Sequence, residues 1–145
     1  MAKRIYYKGS LDGSAPVYRY FPVNDNQTIY KGDIVVLDTN KVTLAADNPD
    51  AGTVLGVSNT DIVTTTAAAT DIIAVDINPN SIYSMAYSGS ATPSIDAAYD
   101  LATPGNVFDA DDTDNGFIIV VGNVNKPTGR ADVILSNRAF PRTTE

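Results

Sequence analysis

The chain has 145 residues, 43% of them hydrophobic, and a formal net charge of −7. That length and apolar share suit one globular domain with a core of its own and exclude a disordered chain. Cysteine and histidine are both absent, which excludes disulfides, thiolate and imidazole metal sites, and Ser-His or Cys-His nucleophile pairs.

Residues 1–23 hold two short alternating stretches, Arg4-Ile5-Tyr6-Tyr7-Lys8 and Val17-Tyr18-Arg19-Tyr20-Phe21, joined by Gly9-Ser10-Leu11-Asp12-Gly13-Ser14. Four of the eight tyrosines fall here, beside cations and a glycine-serine joint. The segment reads either as an arm that lies loose until it adds a strand to a neighbour, or as an ordinary edge hairpin of the same domain. The start, MAKRIYYKGS, lacks the apolar stretch of a signal peptide, and no run approaches the roughly 20 apolar residues that span a bilayer. A product kept soluble, made without export and with no membrane partner, is expected.

From Tyr30 to Asn59 the pattern is an antiparallel meander. Gly32-Asp33 opens the apolar run Ile34 to Leu37, which stops at the polar turn Asp38-Thr39-Asn40-Lys41. A return strand covers Val42 to Ala45; Asp47-Asn48-Pro49-Asp50 forces a second turn, and Gly52 leads into Thr53-Val54-Leu55-Gly56-Val57. Thr60 to Thr70 reads as a Thr/Ala-rich surface stretch. Asp71 to Ile77 is a strand apolar on both faces, Asn78-Pro79-Asn80 a turn, and Ser81 to Tyr87 an alternating strand with Tyr83, Met85 and Tyr87 on one face.

Between Ser94 and Ala102 two readings compete: a helical turn near Ile95 and a strand at Tyr99 to Ala102. The second is favoured by an internal echo. Asn40-Lys41-Val42 through Gly56-Val57 recurs, degenerately, as Gly105-Asn106-Val107 through Gly122-Asn123-Val124. Ala131 to Leu135 is a last strand before the basic tail Asn137-Arg138-Ala139-Phe140-Pro141-Arg142. The whole predicts an all-β fold: a single small antiparallel β-sandwich or β-barrel-like domain, with at most one short helix. Residues 1–23 would be the N-terminal arm or edge strands, 24–136 the β-rich body and 137–145 the basic C-terminal tail.

Charge is segregated. Lys3, Arg4, Lys8 and Arg19 lie at the start and Lys126, Arg130, Arg138 and Arg142 at the end, while Val42 to Asn125 contains no cation and eleven aspartates. Basic extremities on an acidic body read either as tails that dock on something negative or as a solvated surface. Nucleic acid is not an expected partner, because the acidic body repels phosphate and no basic stripe is interleaved with aromatics.

Asp109, Asp111, Asp112 and Asp114, followed by Asn115-Gly116, resemble the first half of a calcium loop, with Ile118 at the place of its apolar residue. The closing Glu is missing, Gly122 standing there, so the competing reading is an acidic hairpin turn bent at Asn115-Gly116. No cofactor is expected. Gly52, Gly56 and Gly122 have neither Walker nor dinucleotide spacing and read as strand-end or bulge glycines. No enzyme is expected.

In Gly32-Asp33-Ile34-Val35-Val36-Leu37, Gly52-Thr53-Val54-Leu55-Gly56-Val57 and Ile73 to Tyr83, the chain resembles head decoration proteins of tailed bacteriophages, also called capsid cement or stabilisation proteins. The resemblance covers residues 30 to 87, with a fainter continuation to Leu135. It implies a structural virion protein on the exterior of the capsid, made in the host cytoplasm, a homo-oligomer, commonly a trimer, with the major capsid protein as partner. It further implies capsid contacts through an arm, here Lys3, Arg4, Ile5, Tyr6 and Tyr7, with Arg138, Phe140 and Arg142 as second candidates. The competing function is a carbohydrate-binding or adhesive β-sandwich, calcium-assisted through residues 109 to 116, with only tyrosines available to stack on sugars.

Overall fold

The computed structural model describes residues 4–46, 49, 52–103 and 105–140. Among them are thirteen strands and no helix: β1 (Tyr6–Ser10), β2 (Tyr18–Pro22), β3 (Thr28–Ile29), β4 (Ile34–Asp38), β5 (Lys41–Leu44), β6 (Val54–Ser58), β7 (Ile62–Val63), β8 (Ile72–Asp76), β9 (Ser81–Ser88), β10 (Ala98–Thr103), β11 (Val107–Asp109), β12 (Ile118–Asn125) and β13 (Arg130–Leu135). The chain is all-β, as its turn-rich and strand-rich composition requires. The Asp47 to Asp50 turn lies mostly outside the described residues.

Two five-stranded units follow one plan. Strands β9, β13, β12, β10 and β11 lie side by side in that order, and β11 pairs back onto β9, closing a barrel. The other sheet runs β2-β8-β6-β4-β5. Its two ends meet where Val23, just past β2, forms a parallel bridge with Val42 of β5, and the Asn24 N–H donates to the Val42 carbonyl at 3.0 Å. In each unit a central strand (β4 or β10) has its hairpin partner on one side and the next long strand on the other. Closure is parallel in both, through β9 with β11 and through Val23 with Val42. The echo in the sequence is therefore a repeated barrel, and Tyr99 to Ala102 is its second central strand.

Local chemistry explains the turns. Asp38 pairs with Lys41, and Thr39 and Asn40 between them have φ of 47° and 70°, the left-handed pair a two-residue hairpin needs. Gly56 and Gly122 both lie at register shifts, in the equivalent strands β6 and β12, so the bulge reading holds for both.

The core has two parts because β4 and β6 are apolar on both faces. Val35 and Leu37 turn into the first barrel with Val23, Val42, Leu55, Ile73 and Val75. Ile34, Val36, Val54 and Val57 turn outward and join the interior of the second barrel, including Tyr83, Met85, Leu101, Phe108 and Val133. Such a strand needs cover on both sides, and each buried aliphatic side chain contributes about 1.5–3 kcal/mol. The second barrel is that cover.

Several expectations are corrected. Residues 4 to 10 are not a loose arm: β1 pairs antiparallel with β9, Tyr6 opposite Ser84 and Tyr7 opposite Tyr83, and Ile5 is 4% exposed in the seam between barrels. The glycine-serine joint is pinned, Leu11 N–H donating to the Asn80 carbonyl at 2.9 Å and Asn78 Nδ2 to Ser14 Oγ at 2.8 Å. The two N-terminal stretches are edge strands of different sheets, not one hairpin. Residues 60 to 70 are not all surface, since β7 pairs with β3 and the buried Thr64 hydroxyl donates to the Asn24 carbonyl at 2.7 Å. The tail begins inside the fold: Ala139 is buried, its N–H donating to the Val54 carbonyl at 2.8 Å.

Gly56 is where the seam tolerates no side chain. A Cβ there would lie 1.9 Å from the Asp76 carbonyl oxygen and 3.2 Å from an Arg138 guanidinium nitrogen, whereas a Cβ on Gly122 would meet nothing within 4 Å. Gly56→Ala is expected to lower stability in chemical denaturation by about 3 kcal/mol or more, and Gly122→Ala by less than about 1 kcal/mol. Equal costs at the two positions would contradict this account.

Candidate docking face

The edge of β9 is shared. Its first half, Ser81 to Ser84, pairs with β1, and its last residues, Ala86 to Ser88, pair with β11. On its other side β9 pairs with β13, placing Arg130 opposite Ala86 and Asp132 opposite Ser84. The first and last parts of the chain are thereby brought to one face. Arg130 Nε donates to Ser84 Oγ at 2.8 Å, and its Nη2 donates to the Ser84 carbonyl at 2.8 Å and the Arg4 carbonyl at 2.6 Å. Its guanidinium lies over the Tyr6 ring, 5.0 Å from the centroid. A hydrogen bond with the Ser84 hydroxyl, aided by Arg130 and Lys8, holds the Tyr6 phenol below its usual range.

Arg4 extends the pattern. Its Nη1 donates to the Lys31 carbonyl at 2.8 Å, its guanidinium lies 5.8 Å from the centroid of the Tyr30 ring, and Asp61 is 4.0 Å away. Tyr6, Tyr7, Tyr18, Tyr20 and Tyr30 are all exposed, between 39% and 69%. Large aromatic rings left in water beside fixed cations have the composition of a protein interface, where Tyr and Arg carry most binding energy.

β1 forms a ridge between two depressions. On one side a cleft of about 280 Å³ runs between Tyr6, Tyr7 and Tyr18, with Lys31 and Asn59 at its rim and Tyr83 among its lining residues. Tyr7 packs edge-on against Tyr83 with ring centroids 5.8 Å apart. The Tyr83 hydroxyl donates to the Asp76 carboxylate, whose other oxygen accepts the Val17 and Asn78 N–H groups at 3.0 Å. Burial, then this hydrogen bond, pushes the Tyr83 phenol far above its usual range. On the other side of the ridge, a groove of about 750 Å³ is bounded by Tyr6, Lys8, Lys126 and Arg130.

Of the expected contact residues, Arg4, Tyr6 and Tyr7 belong to this face. Ile5 does not, because it is a core side chain, and Lys3 lies outside the described residues. Arg138 is structural: its Nη2 donates to the Leu55 carbonyl at 2.8 Å, and burial pulls its pKa down while Asp76 opposes that. Phe140 stacks on Phe21, ring centroids 6.2 Å apart, and Arg142 lies outside the described residues. Sequence reasoning left Lys8, Tyr18, Tyr30, Lys31, Lys126 and Arg130 out of the contact set. Their signal was the clustering of cations and tyrosines toward the chain ends, which says nothing of which end strand lies beside which.

The acidic segment is not a hairpin turn. It joins β11 to β12, which flank β10 instead of pairing with each other. Asp111 accepts the Ser90 and Ala91 N–H groups at 2.8 and 2.9 Å, and these bonds hold its carboxyl below the usual range. Asp109 accepts the Asp111 N–H and Asp112 the Asp114 N–H, at 2.9 and 3.0 Å. The carboxylates thus cap turns, and among the described residues no group of three or more acidic side chains is arranged to hold a metal.

No protein-family model matches the chain, and no curated protein matches it.

Two outcomes follow from these contacts. Tyr83→Phe is expected to cost about 1–3 kcal/mol in denaturant unfolding, since a buried carboxylate loses a donor; an unchanged midpoint would show the bond to be idle. Calcium is expected to leave the melting temperature unmoved. A site with calcium at 100 times its Kd would add about 2.7 kcal/mol, a shift of several degrees that calorimetry resolves.

Proposed function

We propose that this chain is a structural virion protein that decorates the exterior of a tailed-phage head and stabilises the shell, binding the major capsid protein. The observation that carries this reading is the face around β1. Four exposed tyrosines, Tyr6, Tyr7, Tyr18 and Tyr30, and cations from both chain ends stand there on a twin-barrel body. The resemblance of residues 30 to 87 to capsid cement proteins supplies the partner class. The work is mechanical: a homo-oligomer, a trimer by the same resemblance, touches several coat subunits at once, so modest contacts add. The rigid seam transmits load between those contacts, and no chemistry at a site is required.

A carbohydrate-binding module is the second reading, favoured by one observation, the tyrosine-walled cleft of about 280 Å³ between Tyr7 and Tyr18.

Removing residues 2 to 8 would take Ile5 out of the seam and β1 off β9, so point substitutions are the proper test. The purified protein is expected to bind undecorated phage heads saturably. Tyr6→Ala and Tyr30→Ala should each weaken attachment by about tenfold or more while the circular dichroism spectrum is retained. Absence of saturable binding to any tailed-phage head, together with a glycan that shifts Tyr7 and Tyr18, would replace the docking reading with the second one.

A further inference from the structure

The groove beyond Tyr6 is lined by more cations than acids. Its wall carries Lys8 from β1, Lys126 from the turn after β12, and Arg130 from β13; Asp132 is the acid among its lining residues. Three cations against one carboxylate leave a local excess of two, on a chain whose net charge is −7. Asp132 is 8% exposed, and its Oδ2 accepts from Asn123 Nδ2 at 2.7 Å, so it is turned to an internal task. The one ion pair among the described residues is Arg4 with Asp61, which involves none of the three. An acidic protein that gathers cations from its two ends and leaves them without carboxylate partners has kept them for an outside charge.

The site is also preorganised. Arg130 is clamped by three hydrogen bonds and by the Tyr6 ring, and none of those bonds uses Nη1. Lys126 Nζ is placed by the Thr92 hydroxyl at 3.1 Å. Fixing a guanidinium before binding removes part of the entropy that docking would otherwise cost. The exposed amide side chains of Asn123 and Asn125 line the same groove and supply backbone-type donors and acceptors.

We propose that this groove takes an extended, Asp- or Glu-bearing peptide segment of a protein partner. This rests on the docking reading above and names the chemistry of what docks. A peptide fits better than a nucleic acid, because the acidic body would repel a long phosphate chain while a short acidic stretch meets the local excess alone.

The test uses the intact protein and a glycine-flanked oligo-glutamate peptide, with its oligo-glutamine counterpart, a sulfated polysaccharide and a DNA oligonucleotide as comparisons, followed by amide NMR. The oligo-glutamate is expected to shift the amides of Tyr6 to Lys8 and Asn123 to Arg130, with an affinity that falls as salt rises. Lys8→Glu and Lys126→Glu should each weaken it about fivefold or more; the Lys8 side chain forms no hydrogen bond or ion pair with another described residue, so its variant isolates charge. Oligo-glutamine should shift nothing. Shifts that map elsewhere, insensitivity to both charge reversals, or shifts produced by the polysaccharide or DNA but not the peptide would each overturn the proposal. Self-association abolished by Lys8→Glu, with no peptide binding, would overturn it in favour of a second copy as occupant. Heads that bind while oligo-glutamate does not would sink the groove and leave the docking reading standing; peptide binding without head binding would do the reverse.

Discussion

The structure depends on one constraint: β4 and β6 carry apolar side chains on both faces and cannot be left with one face in water. Curling the first sheet hides Val35, Leu37 and Leu55, but Ile34, Val54 and Val57 then face outward, and the second barrel must sit on them. Close approach is possible because Gly56 lets the Asp76 carbonyl and Arg138 come to the strand where any Cβ would collide. Across the same seam, Ile34 N–H donates to the Gly105 carbonyl at 2.7 Å and Tyr83 hydrogen-bonds to Asp76. Two copies of one barrel plan are welded this way into a single body.

The weld also recruits the chain ends. Ile5 fills the seam, and that burial draws β1 onto the free half of the β9 edge; after β13 the chain crosses to the first barrel, where Ala139 enters the core. Termini that looked like frayed tails are therefore part of the fold up to the limits described. Cations from the two ends meet across β1, β9 and β13, where Arg130 lies on Tyr6 and touches the Arg4 carbonyl. A face built on paired strands in this way keeps its geometry without a partner, and preorganisation of that kind favours specificity over reach.

Parts of the face were legible beforehand. Arg4, Tyr6 and Tyr7 announce themselves as polar-aromatic residues in a short alternating stretch, and the cation-free interval from Val42 to Asn125 shows charge held at the ends. Arg130 was not legible as a member, because its membership depends on β13 pairing with β9 beside β1, a contact between residues more than a hundred positions apart. Arg138 was misread for the opposite reason: a charge near a terminus is usually solvated, yet this one is drawn inward to the Leu55 carbonyl. The aspartates at 109 to 114 carry calcium-like spacing, but spacing cannot reveal that Asp109, Asp111 and Asp112 each accept a bond from a backbone N–H group.

The residue pattern by itself determined the all-β class, the long strands between Ile34 and Tyr87, the turn at Thr39-Asn40, the bulge glycines and the internal repeat. These are local properties: side-chain alternation, left-handed turn residues and chain breakers act within a few positions of where they stand. Only the tertiary structure decided barrel over sandwich, the parallel closures, the burial of Ile5 and Ala139, and the gathering of Lys8, Lys126 and Arg130 around one groove. Which strand edges meet is set by how two apolar faces can be covered at once, a property of the whole chain that no short stretch contains.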